Sequence, residues 1–209
     1  MSGVSMMTVR RAMAELVAAG VLQRVQGKGT FVRDARISTE STITGGLRET
    51  LALQGLALET RIVSFAAEVA DGATVARLGV RLGAEVWKLV RVRYIDGFPA
   101  VREMAMIPRI LAPDLDQRFA PSAQSLYEVL KARYGLTEST EEQTLIARVA
   151  SPREAEDLRL SPGSFVVEIT GVASTSSGTA FDSFQMCFVA GRFAFRLRSS
   201  PKADPVAMP

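Results

Sequence analysis

Leu89-Val-Arg-Val-Arg-Tyr-Ile-Asp-Gly-Phe-Pro99 is the stretch that decides the fold of this 209-residue chain. Arginine and apolar residues alternate through it, which predicts a strand from about Val86 to Tyr94. Asp96-Gly97 is a polar dipeptide typical of a tight turn, so a second strand is expected to return beside the first.

The same pattern returns 80 residues later and predicts a duplicated unit. In each copy a short helix, a glycine turn, a strand, a polar turn and a returning strand follow one another. The aligned positions are Leu78, Val80, Gly83, Val86, Leu89 and Val92 with Leu158, Leu160, Gly163, Val166, Ile169 and Val172. Two such copies predict an α+β domain, with an antiparallel sheet, flanking helices on one side of it and a pseudo-twofold axis. The alternative is a chance recurrence of a common pattern.

Further elements follow from local signals. A capping box of Ser125 and Glu128 predicts the start of a helix that Gly135 ends. Ser151-Pro152-Arg153-Glu154 repeats that start signal. The predicted elements are helices over 47–54, 73–78, 126–134 and 152–158, and a strand over 60–67.

Two arginines on one face of the first strand predict an anion site. Arg91 and Arg93 are two positions apart, so they point the same way, about 6–7 Å from each other, beside Trp87. Guanidinium groups bind oxyanions through paired hydrogen bonds. The alternative is a surface strand whose arginines form a salt bridge with Glu103.

The length of the turn decides whether Glu103 or Arg102 lies beside the two arginines. A three-residue loop with Gly97 in the left-handed conformation would bring Glu103 onto the face of Arg91, diagonal to it. A two-residue loop would instead put Arg102 opposite Arg91, which is unfavourable. We therefore expect the first register and a pocket of two arginines and one carboxylate.

Other candidates for the same pocket come from elsewhere in the chain. The helix beginning at Ser125 could present backbone N–H groups to an anion. Tyr127 and Asp182 are further candidates, whereas Cys187 is expected to be a packed, small apolar residue.

The N-terminal residues predict a helix followed by a hairpin. Ser5 is expected to cap a helix over 6–19, with Gly20 at its end. Two short strands then flank Gln26-Gly-Lys-Gly29, a tip that carries the positive charge of Lys28. Residues 1–36 hold six basic and two acidic residues, which fits either a phosphate-backbone contact or a solvated basic face.

Composition excludes several classes of protein. With no His and one Cys, Ser-His and Cys-His dyads and Cys/His metal sites are excluded, and we predict no metal and no cofactor. No apolar run is long enough to span a membrane, and no secretory signal is visible, so a cytoplasmic protein is expected.

The stretch Gly3–Val32, with Thr8-Val-Arg-Arg11 and the wing Gly27-Lys-Gly-Thr30, resembles the GntR family of bacterial repressors. The resemblance implies the second half of a winged helix-turn-helix, with the helix in the major groove and the wing tip at the minor groove or backbone. It implies a DNA-contact set of Ser5, Met7, Thr8, Arg10, Arg11, Lys28 and Gly29. For Arg11 the alternative is a solvated helix residue.

Two features depart from that family. Members carry a first helix and a linking helix before this point, and many have an arginine where Met6 stands. Both departures predict weakened DNA binding, so a metabolite-binding module without DNA binding is the alternative function.

The rest of the chain resembles the UTRA effector-binding domain of HutC-like GntR regulators. The resemblance rests on 89–99, 125–135, Glu142-Gln-Thr and 191–196. It implies the chorismate lyase fold, used for binding, with Arg91 and Arg93 holding a phosphate or carboxylate and Glu103 assisting. A chorismate-lyase-like enzyme is a remote alternative that rests on the fold alone.

The chain is expected to have four segments. Residues 1–34 form the half winged helix, 35–46 a linker, 47–200 the effector domain and 201–209 a tail. We expect a transcriptional regulator, not an enzyme, whose partners are operator DNA, a small acidic effector such as a phosphorylated sugar, and a second copy in a homodimer.

Overall fold

The computed structural model describes residues 5–18, 22–25, 27, 29–32, 36–40 and 55–196. The chain divides into two compact units, Met1–Ile37 and Ser38–Pro209. Among the described residues, no helix has both the length and the apolar character needed to span a bilayer.

The first unit contains the predicted helix and hairpin. Helix α1 spans Met6–Ala18, and the Ser5 hydroxyl accepts a hydrogen bond from the Thr8 N–H at 3.2 Å, which confirms the cap. Strands β1 (Leu22–Val25) and β2 (Gly29–Val32) pair antiparallel. The expected helix end at Gly20 and the wing residue Lys28 lie outside the described residues.

The second unit is built on a six-stranded antiparallel sheet in the order β4-β5-β6-β9-β8-β7. Strands β3 and β10 form a separate two-stranded sheet. The strands are β3 (Ile37–Glu40), β4 (Leu58–Val69), β5 (Glu85–Ile95), β6 (Phe98–Pro108), β7 (Thr140–Val149), β8 (Phe165–Ser174), β9 (Ala180–Val189) and β10 (Phe193–Arg196). The helices are α2 (Gly72–Leu78), α3 (Leu115–Arg118), α4 (Leu126–Tyr134) and α5 (Pro152–Leu158).

The strand order confirms the duplication predicted from the 80-residue offset. Strands β4, β5 and β6 with α2 match β7, β8 and β9 with α5, and the sheet order is symmetric about the β6–β9 pair. Helix α2 contacts β9, and α5 contacts β6, so each helix packs on the central strand of the other half. Leu78 and Leu158, at matching positions, are both buried.

The sheet has a core on each face. On the α3/α4 face, the buried residues are Trp87, Leu89, Ala105, Ile107, Ala112, Leu115, Phe119, Leu126, Val129, Leu130, Leu136, Ala173 and Phe181. On the α2/α5 face, one cluster surrounds Leu158 and another surrounds Leu78. Helices therefore flank both faces, rather than one side as the repeat alone predicts.

The hairpin of β5 and β6 brings Glu103 to Arg91 as expected, but its loop length differs from the prediction. Its loop has two residues, Asp96 and Gly97, both at positive φ, and not the three residues predicted. A bulge after Pro99 adds one residue to β6 and restores the favourable register. Arg91 therefore lies directly opposite Glu103 and not opposite Arg102.

Three local predictions either differ from the structure or fall outside the residues that it describes. The Ser125 side chain makes no capping hydrogen bond, so the capping box predicted there is wrong, although α4 spans the predicted residues. The equivalent box of Ser151 and Glu154 is present at α5. Strand β3 lies within the segment predicted as a linker, and the helix predicted over 47–54 is outside the described residues.

Candidate functional site

Three charged side chains meet on the α3/α4 face of the sheet. Arg91 Nη2 lies 2.5 Å from Glu103 Oε1, and Arg93 Nε lies 2.8 Å from Glu103 Oε2. The arginine residues are 3% and 4% exposed, so the alternative of a surface strand with a salt bridge is wrong. The Arg–Glu contact itself is present, inside the protein.

Arg91 has hydrogen-bonding capacity to spare. Its Nε and Nη1 atoms are buried and have no hydrogen-bond partner within the part of the chain that the structure describes. An unsatisfied buried donor costs about 1–3 kcal/mol, more for a charged group. Such a guanidinium is suited to receive an oxyanion.

Glu103 is held in its charged form. Burial by itself raises the pKa of this carboxyl, but the charges of Arg91 and Arg93 and their hydrogen bonds outweigh burial and lower the pKa to about 2. The three groups together therefore carry one net positive charge.

Asp182 and Tyr127 form a second part of the site. The Tyr127 hydroxyl donates to Asp182 Oδ2 at 3.0 Å, and the backbone N–H of Met106 donates to Oδ1 at 3.1 Å. Burial raises the pKa of Asp182 to about 8, against the effect of these hydrogen bonds. The charges of Glu103 and Arg91 also act on Asp182, so it belongs to the same electrostatic environment.

Ser125 and Tyr127 also border a cavity of about 300 Å³. Glu138 lines the same cavity, and burial together with the charge of Glu141 raises the pKa of Glu138 to about 7. Burial raises the pKa of Tyr127 well above its usual value, so its hydroxyl stays protonated. Tyr127 links this cavity to Asp182 through its hydrogen bond.

One residue that contacts Arg93 was not predicted from the sequence. The hydroxyl of Thr60, on β4, accepts a hydrogen bond from Arg93 Nη1 at 2.7 Å. Thr60 lies opposite Arg93 in the β4–β5 register. Only that pairing reveals the contact, because nothing in the local sequence distinguishes Thr60 from a solvated strand residue.

A buried polar cluster on the α2/α5 face was also missed. Arg148 pairs with Glu154 at 2.7 Å and with Glu168, while the Cys187 thiol donates to Glu154 Oε1 at 3.2 Å. Cys187 is fully buried, as predicted, and burial raises its pKa to about 12. Arg148 pairs with both carboxylates and compensates one of their two negative charges.

The predicted DNA-contact residues lie in the first unit. Ser5 and Thr8 hydroxyls are 3.0 Å apart at the start of α1, and Arg11 pairs with Glu15 at 3.1 Å. Met7, Arg10 and Gly29 are exposed. The exposed start of the helix and the glycine-bounded hairpin are the features that a DNA-reading head needs.

Models of known protein families match both units of the chain. The UTRA domain profile matches residues 53–194, and the profile described as bacterial regulatory proteins, gntR family, matches residues 1–32. The chain belongs to the GntR family and carries its UTRA domain. This GntR-family chain is a DNA-binding transcriptional regulator whose C-terminal domain senses a metabolite.

Named relatives support this assignment. The chain is 28% identical to the HTH-type transcriptional repressor NagR of Bacillus subtilis, with 92% of this chain and 79% of NagR covered. It is 30% identical to the uncharacterized HTH-type transcriptional regulator RB1450 of Rhizobium meliloti, with 94% and 81% covered. The crystal structure of PhnF from Mycobacterium smegmatis matches with a TM-score of 0.77 at 26% identity, over 95% of this chain and 87% of PhnF.

Proposed function

We propose that the metabolite sensed by this regulator is a small acidic molecule, a phosphate ester or a carboxylate, bound by Arg91 and Arg93. The observation that carries the proposal is the pair of buried, unpaired donors on Arg91. A bound oxyanion could accept a hydrogen bond from either of these donors without disturbing the hydrogen bond from Nη2 to Glu103.

The charge of the site supports an anionic ligand. Arg91 and Arg93 face one ionised carboxylate, Glu103, which leaves one positive charge in a buried environment. With its pKa raised to about 8, Asp182 is mostly protonated at neutral pH and does not cancel that charge. A mono- or dianion is therefore favoured there over a neutral ligand.

The remaining predicted residues are proposed to hold the rest of the ligand. Ser125, Tyr127 and Asp182 offer hydroxyl and carboxyl groups suited to the hydroxyls of a sugar. We assign Glu103 a positioning role, because both its oxygens already accept hydrogen bonds from the arginines. None of these roles implies turnover, so binding without catalysis is proposed.

The first unit is proposed to read DNA as the family resemblance implies. The contact set is Ser5, Met7, Thr8, Arg10, Arg11, Lys28 and Gly29, on a head of residues 1–34 followed by a linker (35–46), the sensor (47–200) and a tail (201–209). Two copies are proposed to form a homodimer that reads paired half-sites in the cytoplasm. Ligand binding then shifts the affinity of the dimer for its operator.

A gel-shift titration on a palindromic operator tests this function. The chain, or a version extended upstream by its natural sequence, is expected to retard the DNA, and one of a panel of phosphate esters and carboxylates is expected to change the retardation. Retardation by the extended version alone would favour the metabolite-binding module for this polypeptide. An operator complex that no acidic metabolite affects would contradict the proposed effector class.

A further inference from the structure

Another cavity lies on the other face of the sheet from Arg91. Its volume is about 520 Å³, and its lining residues are Phe98, Pro99, Leu158, Arg159, Leu160 and Arg192. Leu158 belongs to a buried cluster on the α2/α5 face, whereas Arg91 and Glu103 meet on the α3/α4 face. The cavity therefore shares no lining residue with the site of Arg91 and Arg93.

The floor of this cavity is apolar. Leu158 is 1% exposed, Pro99 is buried and Leu160 is half-buried. Phe98 also lines the cavity and is 66% exposed. An apolar floor beside an exposed aromatic residue is typical of a surface that binds a small apolar group.

Two arginine side chains add positive charge to the cavity. Arg192 is fixed at the β5–β6 hairpin, because its Nη1 donates to the carbonyl oxygen of Pro99 at 3.2 Å. Among the residues that the structure describes, no acidic side chain lines the cavity, and neither Arg159 nor Arg192 forms a salt bridge. Asp157, two residues before Arg159, already pairs with Arg102 at 2.7 Å. The charge of the two lining arginines is therefore available to an anion.

The backbone of Arg159 indicates that its side chain has a use. Arg159 ends α5 with a φ of 54°, in the left-handed region that favours glycine. The matching residue of the first repeat is Gly79, with a φ of 62°. Arginine thus occupies a strained position that glycine fills in the other copy, and such strain is concentrated at functional sites.

We propose that this cavity is a second ligand site and that it binds an aromatic carboxylate. The carboxylate lies between Arg159 and Arg192, because guanidinium groups bind carboxylates through charge-assisted hydrogen bonds. The aromatic body covers Leu158 and Leu160 and packs against the Phe98 ring. The site goes beyond the proposed function, since it lies on the other face of the sheet and uses other residues.

The first test uses naphthoate as the probe, titrated into the full chain by isothermal titration calorimetry. Acetate has the carboxylate without the rings, and naphthylmethanol has the rings without the charge. Both are expected to bind about tenfold or more weakly than naphthoate. Equal affinity for naphthylmethanol would contradict the role of the arginines.

The second test is Arg159→Gly, which removes the guanidinium and installs the residue of the matching position. The dissociation constant for naphthoate is expected to rise about tenfold or more. The urea midpoint should stay close to that of wild type, because glycine relieves the strain but loses the contact with the Tyr94 ring, whose centroid lies 5.9 Å from Arg159 Cζ. Arg81→Ala, an exposed arginine in the first repeat, removes the same charge and is expected to change neither quantity.

The position of the bound probe is measured separately by NMR. Nuclear Overhauser effects between the naphthoate rings and the Leu160 methyl groups are expected in wild type and in Arg91→Ala. Naphthoate binding that Arg91→Ala abolishes and Arg159→Gly leaves intact would place the probe in the site of the proposed function and overturn this one. No binding by wild type, or a lower urea midpoint in Arg159→Gly with unchanged affinity, would also overturn it. The effector site of Arg91 and Arg93 is tested by other variants, so either site can fail alone.

Discussion

Arg91 and Glu103 lie directly opposite each other on β5 and β6, and their side chains form an ion pair with Nη2 2.5 Å from Oε1. One bulge residue in β6 creates this pairing, since without it Arg91 would face Arg102. The pair leaves two other donors of Arg91 unused. The geometry thus produces a buried cluster of two arginines and one carboxylate, which carries one net positive charge.

Glu103→Gln is expected to weaken the fold and strengthen anion binding. The substitution removes the charge that compensates Arg91 and Arg93, and breaking a buried ion pair of this kind costs about 3 kcal/mol. The net charge of the site rises at the same time, so the dissociation constant for inorganic phosphate should fall. Urea unfolding and isothermal titration calorimetry measure the two effects.

The control for that variant is Glu59→Gln, which removes an exposed ion pair with Arg61 on neighbouring β4. It is expected to change neither the unfolding midpoint nor phosphate affinity. If Glu103→Gln bound phosphate more weakly than wild type, the positioning of Arg91 and Arg93 by Glu103 would outweigh the effect of its negative charge, which contradicts the predicted gain in affinity.

Asp182→Asn is expected to flatten the pH dependence of stability. In the folded protein burial keeps Asp182 protonated up to a pKa of about 8, whereas the unfolded chain releases that proton near pH 4. The free energy of unfolding of the wild type should therefore fall relative to the variant between pH 5 and 8, by up to about 1.4 kcal/mol per pH unit. Above pH 8 the difference should stay constant.

Urea midpoints measured in parallel for the two proteins isolate the Asp182 contribution. The raised pKa of Glu138 acts in the same direction, but it is present in both proteins and cancels in the difference. Parallel curves for wild type and variant would show that Asp182 is ionised in the folded state at neutral pH.

The sequence predicted much of this architecture because its signals are local or periodic. The 80-residue offset predicted the duplicated sheet, and strand alternation predicted that Arg91 and Arg93 share one face. The hydrogen bond between Arg93 and Thr60 could not be predicted, because it depends on the register between β4 and β5. The bulge after Pro99 was missed for the same reason: it is set by tertiary pairing and not by a turn residue.

Arg148→Met is expected to destabilise the protein by about 3–5 kcal/mol. The change leaves the carboxylates of Glu154 and Glu168 buried without their cation, and those residues are 4% and 8% exposed. Urea unfolding at neutral pH measures the loss.

The internal repeat supplies a matched control for that variant. The Glu68–Lys88 pair occupies the positions equivalent to Arg148 and Glu168 with the charges reversed, and it is partly exposed, at 48% for Glu68 and 30% for Lys88. Lys88→Met should therefore cost less than about 1 kcal/mol. Equal losses at the two sites would mean that burial does not set the strength of these pairs.

Gly171→Ala is expected to cost about 1–3 kcal/mol, because its Cβ would lie 2.5 Å from both the Glu142 carbonyl oxygen and the Phe184 ring. Gly72→Ala, in α2, meets nothing within 4 Å and should be neutral or slightly stabilising. Thermal unfolding compares the two variants. A neutral Gly171→Ala would show that β7 and β8 separate more easily than their register implies.

The most direct measurement of the central claim is a thermal-shift titration with inorganic phosphate and a panel of phosphate esters and carboxylates, run on wild type, Arg91→Ala and the exposed-residue control Arg61→Ala. A ligand present at 100 times its dissociation constant should stabilise wild type and the control by about 2.7 kcal/mol. We predict that Arg91→Ala loses this gain. An equal gain in Arg91→Ala, or no gain in wild type from any acidic compound, would contradict the anion site.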